Sequence, residues 1–357
     1  MIESNLLEID GSFGEGGGAI LRLGAAYSVL FKRPIRISNI RANRPKPGLR
    51  LQHLLGLKTL SEIFNSSLSP CGVGSEEISL TPNSKNDVKS TIQLNVSTAA
   101  SIGLLLQPIQ IACLGFKKPE KIEISIKGGG TFGKWAPSVN YLQEVTYKLF
   151  EKSGLKIEID ILKHGFFPKG GAQLNCIIHP SKEVIKPINI TELGNVDLIQ
   201  GEIIITNSLR LNRDNIGFRI RKSIQQNLRR SLKSETNIKY TWVDSISPGV
   251  GVSLWALSDT GAIISTGTFL GEKNLSSEKL GYNVAQELLN YIQNEIPVDK
   301  YLSDQLIPLM GYVKKSSSIK VSEITNHTRT NLKLIKLFTN REYKILKHQN
   351  YNIISIQ

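Results

Sequence analysis

Apolar positions along the chain switch repeatedly between two periods. Ile20 to Leu30 is apolar almost throughout, as in a buried helix, whereas Ile35, Ile37 and Ile40 alternate with polar residues as in a half-buried strand. A second helix is expected from near Leu49, with a stripe of Leu51, Leu54, Leu55, Ile63 and Phe64, and Glu77 to Leu80 returns to strand. The unit then recurs. Ser97 to Leu114 reads as a long helix of small and apolar residues, and Ile122, Ile124 and Ile126 alternate. Val139 to Phe150 is amphipathic, and Ile157, Ile159 and Ile161 alternate again. Leu280, Val284, Leu288 and Ile292 restore helical spacing further on. Repeated helices packed on sheets predict an α+β class built from α/β modules rather than one doubly wound sheet.

At 357 residues the chain has room for two domains, or for one with an insertion. Lys and Arg number 44 against 30 Asp and Glu, a formal charge of +14. Such an excess favours a polyanionic partner such as nucleic acid, the alternative being a charge spread over a solvated surface. Cys71, Cys113 and Cys176 lie far apart and form no C-x-x-C pair, which fits a reducing compartment. The first residues carry acids where a signal peptide has a basic region, and no apolar run approaches the roughly 18 residues of a membrane span. A cytoplasmic location with no membrane partner is therefore expected.

Candidate chemistry begins between Asp10 and Gly18, where five glycines surround the carboxylate of Glu15. Glycines let backbone N–H groups approach a ligand closely, and a helix starting near Gly18 would add its positive end. A phosphate or another anion is the expected cargo, and a plain strand-to-helix turn is the alternative. The spacing fits neither G-x-x-x-x-G-K-[ST] nor G-x-G-x-x-G. Glu15 would repel phosphate unless a divalent cation lay between them. Arg22, Arg41, Arg44, Arg50, Gln52 and His53 are concentrated in the first module, where guanidinium groups can hold phosphate oxygens bidentately; ion pairs within the module are the alternative for some of them. His327 stands among Thr325, Asn326, Thr328, Thr330 and Asn331 at an expected strand-to-helix junction, where helix-start N–H groups stabilise anions. Arg210, Arg213, Arg219, Arg221, Lys222, Arg229 and Arg230 fall on or near another expected helix, as a basic face or a merely solvated one.

Several of these stretches carry a resemblance. Asp10-Gly11-Ser12-Phe13-Gly14-Glu15-Gly16-Gly17-Gly18 resembles the N-terminal signature of the RNA 3'-terminal phosphate cyclases. The likeness continues through Ile40 to Leu54, Tyr301-Leu302-Ser303-Asp304-Gln305-Leu306 and Ser322 to Asn331. It implies repeated modules like the C-terminal domain of translation initiation factor 3, with a smaller inserted α/β domain. The insertion is expected at residues 181–275, dividing the main domain into 1–180 and 276–357, because His164 to Gly171 resembles the end of the third module and Gly271-Glu272-Lys273 the return.

The resemblance further implies ATP as co-substrate, RNA with a 3'-terminal phosphate as substrate, and a magnesium or manganese ion. His327 would take AMP from ATP, pass it to the RNA phosphate, and so let the vicinal 2'-hydroxyl close a 2',3'-cyclic phosphate. Glu15 would be the metal ligand, and Gln107, Pro137, Tyr301, Asp304 and Gln305 would line the ATP site. The chain departs from the family pattern at Ala19, where glutamine is usual, and around Gly130 to Lys134. Whether it forms a homodimer stays open. Two other readings remain: a non-catalytic relative that binds RNA during ribosomal RNA maturation, a branch lacking the histidine and the glycine stretch, and a sugar-phosphate or enolpyruvyl transferase of similar modules, which would need neither His327 nor the tyrosine motif.

Overall fold

The computed structural model describes residues 6–14, 16–85, 87–134, 136–212 and 215–357. The chain opens with β1 (Leu7–Asp10), α1 (Gly18–Phe31), β2 (Ile35–Ser38), α2 (Leu51–Ile63), β3 (Ser67–Leu68) and β4 (Ile78–Thr81). Their sheet has the order β1-β2-β4-β3, with β1 and β2 parallel and the other pairs antiparallel.

The pattern repeats in β5 (Thr91–Ser101), α3 (Ile102–Cys113), β6 (Ile122–Gly130), α4 (Val139–Tyr141), α5 (Tyr147–Ser153), β7 (Lys156–Lys163) and β8 (Gln173–His179). A π-helical turn over Leu142–Thr146 joins α4 to α5. The sheet order is β5-β6-β8-β7, the same topology as the first.

A third copy starts at β9 (Asn189–Ile190) and is interrupted at once. The interruption holds β10 (Val196–Thr206), a 3-10 turn (Asn207–Asn212), α6 (Ile216–Arg229), β11 (Glu235–Val243), β12 (Val250–Ser258), β13 (Ile263–Ser265), β14 (Phe269–Leu270) and α7 (Ser277–Gln293). The copy then resumes with α8 (Lys300–Tyr312), β15 (Ser317–Val321), α9 (Asn326–Thr339), β16 (Tyr343–Lys347) and β17 (Asn352–Ile356), in the order β9-β15-β17-β16. Each module is thus a β-α-β-α-β-β unit whose first two strands are parallel.

Strands such as β1, β2 and β5 alternate buried and exposed residues, so each sheet offers one face to the helices and the other to solvent. The helices of all three modules share one core. At its centre α1 is buried at every position from Ala19 to Leu30 except Arg22, as an apolar helix surrounded by others must be. The Tyr27 hydroxyl on α1 donates to Asn331 Oδ1 on α9 at 2.8 Å, a hydrogen bond between the first and third modules.

Three expectations need adjustment. Residues 97–101 end strand β5 instead of starting a helix, because Thr91 to Val96 already alternate and pair with β6, and Ser101 caps α3 by accepting from Leu104 N. The His164 to Gly171 segment lies between β7 and β8, inside the second module. The interruption has its own core, which includes Leu280, Val284, Leu288 and Ile296, whereas β9 pairs with β15 of the third module. The packing therefore places its limits nearer Ile190 and Ile296 than the expected 181 and 275.

A chain lacking residues 181–275 would lose β9 and leave the apolar face of α7 uncovered. It is expected to elute from size exclusion as aggregate. A monodisperse truncated protein would show that α7 does not depend on the inserted core.

Candidate active site

The glycine stretch folds as a turn from β1 into α1, and its shape depends on what crowds it. Gly14 has φ +63°, and a Cβ there would strike Thr330 Oγ1 on α9. Gly18 opens α1 so close to its neighbours that a Cβ would collide with His53 Nε2 and lie 3.0 Å from Arg22 Nη1. The turn therefore touches α9 at one end and a basic group at the other. Lys333 Nζ also lies 4.4 Å from the Phe13 ring centroid. Glu15 lies outside the described residues.

Three guanidinium groups, those of Arg22, Arg41 and Arg50, gather around His53. Its pKa is drawn down to about 3, first by burial and then by Arg22, Arg41 and Arg50, so the ring is neutral. Its Nδ1 accepts from the Arg50 backbone N–H at 3.2 Å, which assigns the proton to Nε2, the nitrogen facing Gly18. Burial followed by Arg50 and Arg44 lowers the Arg41 pKa. Arg41 also bonds the carbonyls of Lys46 at 2.8 Å and Gly48 at 3.0 Å, so much of its guanidinium shapes its own loop. Arg44 is exposed, and Arg50 and Gln52 are partly so. Arg22 Nε donates to Gln107 Oε1 at 3.2 Å, which brings Gln107 to the arginines. Four residues earlier on the same face of α3, Gly103 packs against the Pro137 carbonyl. Ala19 is buried in the main core.

A cleft of about 450 Å³ opens beside Pro137, lined also by Tyr141, Gly267, Phe269 and Tyr301. Pro137 and Tyr301 stand 164 positions apart in the sequence; the fold sets them on one cleft. The Tyr301 ring rests on Gly267 and stands edge to face with Tyr141, centroids 6.5 Å apart. One turn along α8 from Tyr301 comes Asp304, whose Oδ1 accepts from Thr325 Oγ1 at 3.1 Å and Thr328 Oγ1 at 2.7 Å. Thr325 is the N-cap of α9, accepting from Thr328 N at 2.9 Å. His327 lies between these threonines, exposed in the first turn, three residues before the Thr330 that meets the glycine turn. Gln305 is buried, 7% exposed.

Asp299 was not singled out from sequence, although an acid just before an apolar-periodic helix is an N-cap signal. It is fully buried, accepts from Tyr301 N and Leu302 N at 2.9 Å, and takes further bonds from the Tyr141 hydroxyl and Ser265 N. Burial raises its pKa to about 6, against bonds that pull the other way. The segment Gly130 to Lys134 also has a structural role, because Phe132 stacks on Phe166 at 5.1 Å and packs with Ile204 of the insert.

The start of α9, which carries His327, meets the glycine turn at Gly14, and the other end of that turn meets His53 and Arg22; the family comparison is decisive. Residues 13–345 match the family model for RNA 3'-terminal phosphate cyclase. The chain belongs to this family. An RNA 3'-terminal phosphate cyclase from Pyrococcus abyssi is 36% identical over 340 residues, 95% of both chains. One from Methanosarcina barkeri is 36% identical over 351 residues, 98% of this chain and all of that one, and one from Methanopyrus kandleri is 32% identical over 340 residues, 94% of this chain and 93% of its own. The cyclase-family match runs from just before α1 into β16 and so takes in the whole second module, the insert and most of the first and third modules. No helix among the described residues is long and apolar enough to cross a membrane.

A buried acid with a pKa near 6, against the ordinary 3.8, takes up its proton first in the folded state. Its contribution to stability therefore falls as pH rises through that window and stays lowered above it. The melting temperature of wild type minus that of Asp299→Asn is expected to fall between about pH 4 and about pH 7. A difference that does not change with pH would remove Asp299 as a buried titrating group.

Proposed function

We propose that this protein uses ATP to convert an RNA 3'-terminal phosphate into a 2',3'-cyclic phosphate, with His327 as the nucleophile. The observation that carries the reading is the placement of His327: exposed on the first turn of α9, a turn whose Thr325 and Thr328 donate to Asp304 on the helix that bears Tyr301 and whose following Thr330 meets the glycine turn. A ring nitrogen of His327 attacks the α-phosphorus of ATP, forming a P–N bond as pyrophosphate leaves. An oxygen of the RNA 3'-phosphate then displaces the histidine, giving an RNA adenylate. The 2'-hydroxyl attacks that activated phosphorus, closing the ring as AMP departs. The N-terminal end of α9 favours the negative charge that gathers there.

In this reading the adenine lies in the cleft between Pro137 and Tyr301, and Asp304 and Gln305 support that helix from behind. Arg22, Arg44, Arg50, Gln52 and the Nε2–H of His53 receive phosphate oxygens, while Gln107 orients Arg22 and Arg41 holds the loop that carries Arg44. Among the described residues no three His, Cys, Asp or Glu side chains converge on one point, so they build no closed metal cage. A magnesium or manganese ion would have Glu15, which lies outside the described residues, as its protein ligand. Such an ion supplies charge neutralisation at the phosphates.

ATP labelled at the α-phosphate should label the protein through an acid-labile, alkali-stable bond, and His327→Asn should abolish the label without unfolding the chain. Arg44→Ala should impair use of 3'-phosphorylated RNA far more than self-labelling. Normal labelling of His327→Asn would assign another nucleophile. A wild-type protein that takes no label with magnesium or manganese yet binds RNA would be a binding factor and not an enzyme.

A further inference from the structure

One side of the insert interleaves cations with aromatic rings. Tyr240 and Trp242 lie on β11, the outermost strand of the insert's sheet, and α6 sets Phe218 beside them, 41% exposed. The Arg210 guanidinium stands 5.0 Å from the Trp242 ring centroid. Arg221 lies 4.9 Å from that of Tyr240 and 5.9 Å from that of Phe218, with Lys222 also 5.9 Å from Phe218. Arg219, on the same helix, is held differently, giving two hydrogen bonds to Glu278 at 2.7 and 2.9 Å. Arg210, Arg221 and Lys222 form no ion pair among the described residues.

We propose that this ridge binds the single-stranded RNA that precedes the 3'-terminal phosphate. The inference rests on the proposed reading for the identity of the strand, and on the ridge alone for its chemistry. Bases present flat π-faces that stack on rings and on guanidinium planes, while lysine and arginine track the phosphates between them. A carboxylate-rich protein would use the cations and leave the Phe218 ring 41% exposed and the outer edges of the partly buried Tyr240 and Trp242 uncovered, so RNA is the better match. The ridge is also joined to the candidate site. Arg210 follows the end of β10, and near that end Ile204 packs on Phe132 and Phe166, while Lys169 N donates to Ser247 Oγ at 3.1 Å. Phe132 lies five residues before Pro137. An RNA whose end reaches the arginines of the first module can thus continue along a surface fixed to the same scaffold.

The test measures binding by the full chain, without ATP, of a 3'-phosphorylated oligoadenylate of about 20 nucleotides, beside a 3'-phosphorylated trinucleotide. Combining Arg210→Ala, Arg221→Ala and Lys222→Ala should weaken the longer RNA roughly tenfold and make its log–log salt slope shallower by about 2, at roughly 0.7 per phosphate neutralised. Trinucleotide binding and self-labelling by ATP should stay at the wild-type level. Trp242→Phe, which keeps a ring, should bind the longer RNA better than Trp242→Leu. Unchanged affinity for the longer RNA would overturn the proposal. So would an equal loss for the trinucleotide, which would place these cations at the RNA end, or an equal loss of polyglutamate binding, which would make the ridge a site for acidic proteins. If wild type takes no label from ATP while the triple variant still loses the longer RNA, the ridge stands and the catalytic reading falls.

Discussion

Everything in this molecule leans on α1 being buried on all sides. A helix apolar around its whole circumference cannot sit on the outside of a single sheet, so the modules close over it and bury one face of each sheet against a shared set of helices. Desolvation then governs what polar groups can do inside. Tyr27 and Asn331 are buried and satisfy each other, and removing either partner would leave the other stranded, at a cost of about 1–3 kcal/mol. Arg22 is the one position in that run that escapes burial, and it emerges beside the glycine turn. The same helix that organises the core therefore delivers the first basic residue of the site.

Much of this was legible in the residues. Period switching marks α1, β2, β6, β7 and α7 because each buries one stripe or alternate positions, and that is what periodicity measures. It fails at residues 97–101, where small residues in a long strand look helical because nothing large marks the alternation. It also fails at the limits of the insert. The apolar stripe of α7 announces that the helix is packed, but not against what, and β9 is only two residues long. Motifs named candidate residues one by one, yet only the fold brings Gln107 to Arg22 and sets Pro137 and Tyr301 on one cleft. Asp299 could have been read as a cap, but its bonds to Tyr141 and Ser265 span 158 and 34 residues, beyond any local signal.

The basic group illustrates how composition becomes a site. Net charge says nothing about placement, and cations in a compact cluster repel one another. Here the one titratable ring among them is held neutral by burial and by its arginine neighbours, so His53 adds a donor without adding charge. Because its pKa lies far below the physiological range, the ring stays a neutral donor throughout it, which is what the proposed phosphate contact would require.

Interrupting the third module has a consequence for chemistry as well as topology. The cleft beside Pro137 takes Tyr141 from the second module, Gly267 and Phe269 from the insert and Tyr301 from the third module. One buried carboxyl binds these parts together, since Asp299 caps α8 while accepting from Tyr141 and from the backbone of Ser265. Moving the insert away would strand either that backbone N–H or the carboxyl, and it would also unstack Phe132 from the Ile204 contact. The insert is thus fixed to the wall of the cleft. A strand of RNA gripped on its outer ridge and a nucleotide held beside Tyr301 would then be registered against one rigid frame, which is the condition for bringing an RNA end to an activated phosphate without a large search.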